Sequence, residues 1–146
     1  DEVRSFKNTA GKTKVKAILG VGDLETLRNV AKASLVCMMA GADFIKTSTG
    51  KESTNANLNN SLVMLRMIRD FYSKTGKKIG FKPAGGISTS KSVLEFLILV
   101  AEELGFDWVN PKLLRIGASS LLIDIERQLY HYTSGRYANK EKLAIG

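Results

Sequence analysis

The chain has 146 residues, 44% of them hydrophobic, and a formal net charge of +8, so residues 1–146 are read as a single domain with one core of ordinary size. No run approaches the roughly 20 apolar residues of a membrane-spanning helix, and Asp1-Glu2-Val3-Arg4 lacks the basic and then apolar order of a secretory leader. The lone Cys37 permits no internal disulfide; its apolar helical setting predicts a buried structural thiol and a reducing, cytoplasmic environment.

The positive charge fits either a nucleic-acid surface or the attraction of a small anion into a cleft. The second reading is favoured. Aromatic residues do not interleave with the basic ones as a stacking platform requires, and there is no zinc-finger or RNA-recognition signature. Neither nucleic acid nor membrane is an expected partner.

In chain order, Asp1 to Lys12 reads as the tail of a helix ending at Gly11. Lys14 to Leu19 is a predicted strand, and Leu24 to Met39 carries Leu24, Leu27, Val30, Ala31, Leu35 and Met38 at a helical period. Ala42 to Lys46 is the second strand, and Leu58 to Tyr72 the helix after it, with Leu62, Leu65, Met67, Ile68 and Phe71 largely on one face. Lys78 to Lys82 is the third strand, Ser88-Thr89-Ser90 supplies hydroxyl caps, and Val93 to Leu104 is an apolar helix. Leu113 to Gly117 is a predicted fourth strand, followed from Ala118 or Ser119 by a helix through Leu122, Ile125 and Leu129. Four βα units about thirty residues apart predict an α/β fold with a parallel sheet and right-handed crossovers.

A complete (β/α)₈ barrel takes about 250 residues, so this chain has room for half of one. The opening helix tail suggests that it begins inside a larger repeating plan. Closure then requires a complementary N-terminal half, pairing of two copies as a homo-oligomer, or cover for the edges of an open sheet.

Two lysines carry the candidate chemistry. Lys46, in Asp43-Phe44-Ile45-Lys46-Thr47-Ser48-Thr49-Gly50-Lys51, and Lys82, in Gly80-Phe81-Lys82-Pro83-Ala84-Gly85-Gly86, each end an apolar strand just before a loop of small residues. Adjacent parallel strands lie roughly 4.8 Å apart, so ammonium groups at matching strand ends conflict. A partly desolvated lysine beside a second cation becomes an amine nucleophile, which points to Schiff-base formation with a carbonyl. Gly50-Lys51, Gly85-Gly86 and Ser119-Ser120 all follow strands, where backbone N–H groups and helix N-termini hold anions. Each glycine pair alone reads as a turn requirement; their convergence after three successive strands favours a phosphate site.

Other features are set aside. Gly11-Lys12-Thr13 is a linker, because Phe6 stands where a phosphate loop needs its first glycine. His131, between two tyrosines near the end of the last helix, reads as a C-terminal cation. One histidine and one cysteine build no metal site, and no cofactor is expected. Trp108 is expected to cap the core beneath a loop.

Together, Val15 to Leu19, Asp43 to Lys51, Gly80 to Gly86 and Arg115 to Leu122 resemble the deoxyribose-phosphate aldolase family over nearly the whole chain. The resemblance implies the C-terminal half of a (β/α)₈ barrel of TIM type, strands five to eight. It implies a metal-free class I aldolase that cleaves 2-deoxyribose 5-phosphate reversibly to acetaldehyde and glyceraldehyde 3-phosphate. On that pattern Lys46 is the Schiff-base lysine, Lys82 eases its deprotonation and moves protons, and Lys16 is a supporting lysine one strand earlier. The phosphate falls to Gly50, Lys51, Gly85, Gly86, Ser119 and Ser120.

The chain departs from the pattern at several points. The family's proton-relay aspartate lies on strand four, outside this sequence. Ser88 stands where many relatives carry Arg, Val21 where they carry Thr, and Lys142-Leu143-Ala144-Ile145-Gly146 lacks the terminal Tyr of some relatives. The alternatives are an inactive half-barrel or phosphate-binding βα module, and a related Schiff-base aldolase for another sugar phosphate.

Overall fold

Thr26, Asn57 and Thr89 start three of the helices. Each has extended backbone and a side-chain oxygen that accepts from a backbone N–H in the first turn: those of Asn29, Asn60 and Ser92. The computed structural model describes residues 1–139 and Leu143; the C-terminal Lys142, Ala144, Ile145 and Gly146 lie outside them. The elements run α1 (Glu2–Ala10), β1 (Lys16–Ile18), α2 (Leu27–Met39), β2 (Phe44–Lys46), α3 (Leu58–Thr75), β3 (Gly80–Lys82), α4 (Ser90–Leu104), a 3₁₀ turn (Phe106–Trp108) and α5 (Leu121–Ser134). The apolar period that begins at Leu24 becomes helical only at Leu27. Glu25 has φ 60°, a left-handed conformation through which an α-helix does not pass.

The strands are parallel in the order β1-β2-β3, with Lys16, Ala17 and Ile18 opposite Phe44, Ile45 and Lys46, which lie opposite Gly80, Phe81 and Lys82. Side chains alternate between faces. Ala17, Ile45 and Phe81 therefore share one face, where Ile45 and Phe81 are fully buried in a core with Val30, Met64, Leu65, Ile68 and Val100 from α2, α3 and α4. The opposite face carries Lys16, Ile18, Phe44, Lys46, Gly80 and Lys82. Ile18 is 48% exposed there.

The predicted fourth strand is present only as two isolated parallel bridges, Phe81 to Leu114 and Ala84 to Gly117. The ladder starts regularly, with Phe81 N–H donating to Leu113 C=O and Arg115 N–H to Phe81 C=O, and resumes with Gly117 N–H to Pro83 C=O and Gly85 N–H to Gly117 C=O. The intervening rung needs an N–H from residue 83. Proline has none. One imino acid thus splits a segment that otherwise follows a strand's path.

At the N-terminal edge of the sheet, Asp43 accepts from Lys7 Nζ (2.7 Å), Val15 N–H (2.9 Å) and Lys14 Nζ (3.0 Å), tying α1 and the start of β1 to β2. Burial pushes the Asp43 carboxyl up, but these donors together outweigh it and hold the group below its ordinary value. Trp108 is buried, as expected of a core cap, and its indole N–H donates to Ile79 C=O at 3.0 Å. Cys37 differs from expectation. It is half-buried on α2 rather than buried, and this partial burial pushes the thiol pKa up.

Candidate active site

Lys46 and Lys82 end β2 and β3 and are direct partners in the parallel register, so both side chains leave the sheet on the same face at the same level. Lys16 shares that face but pairs with Phe44, two residues earlier. It sits one layer below, with its Nζ 5.7 Å from the centre of the Phe44 ring. The Arg115 guanidinium lies 5.8 Å from the same ring. Partial burial lowers the Lys82 pKa, and the charges of Lys46, Lys16 and Arg115 lower it further. Lys82 is thus a crowded amine that gives up its proton more readily than an ordinary lysine. Arg115, within one of the recognised motifs, was given no role by the sequence reading; its alternation with Leu114 places it on the lysine face.

Above the lysines opens a cleft of about 480 Å³. Its lining includes Lys46 together with Gly50, Lys51, Gly85, Gly86, Ser119 and Ser120, so every residue expected to hold phosphate meets the expected nucleophile in one space. Lys82 and Lys16 are not part of that lining. Gly85 and Gly86 have φ 88° and 75°, the left-handed region that glycine enters without strain. At Gly85 a second constraint applies, because an added Cβ would overlap the Asn55 side chain. Asn55 Oδ1 itself is buried without a hydrogen-bond partner.

Gly117 holds the far wall. A Cβ there would stand 2.6 Å from Ala84 Cβ and 3.2 Å from Lys82 Cε, so only glycine lets the fourth segment approach the lysine strand this closely. Ser120 is the N-cap of α5, but its side chain makes no capping bond. The first N–H groups of this 14-residue helix and the hydroxyl beside them therefore remain available to an anion. The start of α4 is different: Asp124 accepts from Ser90 N–H at 2.6 Å and from Ser90 Oγ at 2.7 Å. A carboxylate already occupies that helix terminus. Ser88, where Arg was noted as the commoner residue, lines the cleft.

The residues set aside stay away from this site. Gly11 caps α1 and leads into the link to β1, and His131 lies in the last turn of α5, stacked on Tyr137 at 4.2 Å. Among the described residues no group of three or more His, Cys, Asp or Glu could hold a metal ion, and no helix is long and apolar enough to cross a membrane.

Residues 1–122 match the DeoC/LacD family aldolase profile. The chain is 61% identical over 138 residues to deoxyribose-phosphate aldolase of Homo sapiens and 62% identical over 138 residues to that of Mus musculus. These alignments cover 94% of this chain and 43% of each relative, so the chain spans under half the length of the relatives it matches. Among solved structures, the apo form of a putative deoxyribose-phosphate aldolase from Toxoplasma gondii superposes with TM-score 0.78 at 22% identity, over 92% of this chain and 51% of that one. A putative deoxyribose-phosphate aldolase from Coccidioides immitis gives TM-score 0.64 at 26% identity, over 82% and 40%. The parallel sheet with helices on one face is therefore part of a (β/α)₈ barrel of TIM type. The chain belongs to the DeoC/LacD family of aldolases.

Proposed function

We propose that the residues of this chain form the Schiff-base and phosphate-binding part of an aldolase site that cleaves 2-deoxyribose 5-phosphate to acetaldehyde and glyceraldehyde 3-phosphate. The observation that carries the reading is the cross-strand pair Lys46 and Lys82 below a cleft in which Lys46 meets the Gly50-Lys51, Gly85-Gly86 and Ser119-Ser120 loops. Two loops with left-handed glycines and one open helix terminus suit a phosphate dianion. The amine at the cleft floor suits the aldehyde at the other end of the same sugar.

In this mechanism Lys46 Nζ attacks C1 of the open-chain sugar, and the resulting carbinolamine loses water to give an iminium. The C3 hydroxyl gives up its proton, the C2–C3 bond breaks, and its electron pair passes into the iminium to form an enamine. C3 becomes the aldehyde of glyceraldehyde 3-phosphate. Protonation of the enamine at C2 and hydrolysis release acetaldehyde and restore the amine. Lys82, with its lowered pKa, carries protons to and from Lys46, and Lys16 supports the charge of the cluster from the layer beneath. The proton-relay aspartate expected on strand four would come from a complementary N-terminal half that also closes the barrel. Assembly as a homo-oligomer and a cytoplasmic setting belong to the same proposal.

The test is borohydride reduction in the presence of acetaldehyde or 2-deoxyribose 5-phosphate, followed by peptide mapping. A stoichiometric adduct on Lys46, lost in Lys46→Ala and slowed in Lys82→Ala, is expected; equal capture by wild type and Lys46→Ala would sink the assignment. Phosphate binding without capture would instead support a βα module that binds anions and turns nothing over.

A further inference from the structure

Four hydrogen bonds converge on one residue, Ala84, immediately before the Gly85-Gly86 loop. Thr47 Oγ1 accepts from Ala84 N–H at 2.9 Å and donates to Ala84 C=O at 3.1 Å. Ser48 Oγ donates to the same carbonyl at 2.6 Å, and Ala56 N–H donates to it at 3.2 Å. Thr47 and Ser48 are both fully buried, and Ala84 is 3% exposed. A hydroxyl can donate and accept at once, so Thr47 closes a two-bond clasp on this peptide segment.

The backbone explains why a side chain is needed. Up to Lys46, β2 follows a regular parallel ladder: Leu19 N–H donates to Lys46 C=O and Thr47 N–H to Lys82 C=O. In a continued ladder Ala84 N–H would donate to Thr47 C=O. That carbonyl is turned instead toward the other neighbour, where it accepts from Val21 N–H at 3.0 Å. The strand falls one residue out of step directly after the lysine, as at a bulge. Ala84 N–H is left without its backbone acceptor, and the Thr47 hydroxyl takes its place.

We infer that Thr47, assisted by Ser48, is a positioning residue that fixes the Gly85-Gly86 anion loop at a set offset from the Lys46 amine. The inference rests on the proposed aldolase reading of the site. Thr47 is not in the cleft lining and acts through the peptide it clasps. Its loss should be felt mainly by substrates that carry a phosphate, since the loop serves the phosphate end.

The experiment compares the full-length wild type with Thr47→Val, which keeps shape and loses both hydroxyl bonds, and Thr47→Ser, which keeps the hydroxyl. kcat/KM is measured for 2-deoxyribose 5-phosphate and for unphosphorylated 2-deoxyribose. Thr47→Val should lower the ratio of the two about tenfold, the scale of a lost buried hydrogen-bond pair, mainly through KM for the phosphorylated sugar. Thr47→Ser should stay within about threefold of wild type in the same ratio. Equal losses on both substrates, or an unchanged ratio, would overturn the inference.

If Thr47→Val fails to fold by circular dichroism, Ser48→Ala decides: a fall of about threefold in the ratio supports the clasp, and no fall overturns it. Failure of the aldolase reading appears separately, as a wild type that captures no aldehyde on Lys46. Titration with inorganic phosphate then still discriminates, because about tenfold weaker binding by Thr47→Val supports the clasp and equal binding refutes it.

Discussion

Gly80 opens β3 directly opposite Phe44, and its backbone does not require glycine, since its φ is not positive. What requires glycine is the Phe44 ring. A Cβ built at residue 80 would overlap Phe44 Cδ1, Cε1 and Cζ. The ring is only 2% exposed, with Lys16 and Arg115 at 5.7 and 5.8 Å from its centre, so it cannot move aside freely. Gly80→Ala should therefore behave as an overpacked core and cost about 1–3 kcal/mol. For a chain of this size that corresponds to a fall in Tm of roughly 3–9 °C. Phe44→Leu should be destabilising alone, by about 1–2 kcal/mol, yet should recover much of the Gly80→Ala loss by vacating the volume. A four-protein cycle of urea denaturation measures this, and a coupling of at least about 1 kcal/mol is expected. A Gly80→Ala protein within about 0.5 kcal/mol of wild type, or an additive cycle, would refute the steric account.

Asp43 sets an acid limit to stability. Its carboxyl lies below its ordinary value in the folded chain, so the unfolded chain binds this proton more readily. The contribution is full above the unfolded value of about 3.9 and disappears as pH falls through the folded value. Urea midpoints compared at neutral pH and near pH 3 should show a smaller acid-induced loss for Asp43→Asn than for wild type, and equal losses would contradict the assignment. Trp108→Phe removes the indole bond to Ile79 C=O while keeping most of the apolar volume. It should cost about 1–2 kcal/mol in thermal or urea unfolding, with a change near zero counting against the bond.

Much of the candidate site was legible in the sequence because strand ends and loop positions are marked by local patterns, and a repeating βα plan sets equivalent strand ends beside one another. Two apolar runs ending in lysine, each followed by a glycine-bearing loop, sufficed to put Lys46 and Lys82 side by side. Three polar or glycine loops after successive strands sufficed to gather one cleft. Helix starts were legible for a similar reason: Thr89 lies beside the segment whose N–H it caps. At two places where the local reading erred, a backbone torsion or a missing donor was responsible. Glu25 in a left-handed conformation delays α2, and the absent N–H of Pro83 divides the fourth strand.

Other features belonged to tertiary structure alone. Arg115 joins the lysine cluster because the fourth segment docks beside β3, and Gly117 is obligatory because that docking brings Ala84 Cβ against it, with Lys82 Cε close by. The departure of Thr47 C=O toward Val21, and the hydroxyl clasp on Ala84 that results, depend on how three separated segments meet. By itself, the sequence determined which residues stand at the strand ends and in the loops, since alternation, apolar period and turn chemistry act over a few neighbours. Tertiary structure alone decided which charges gather around Lys82 and what holds the anion loop in place, because charge repulsion and buried hydrogen bonds depend on distances between residues far apart in the chain.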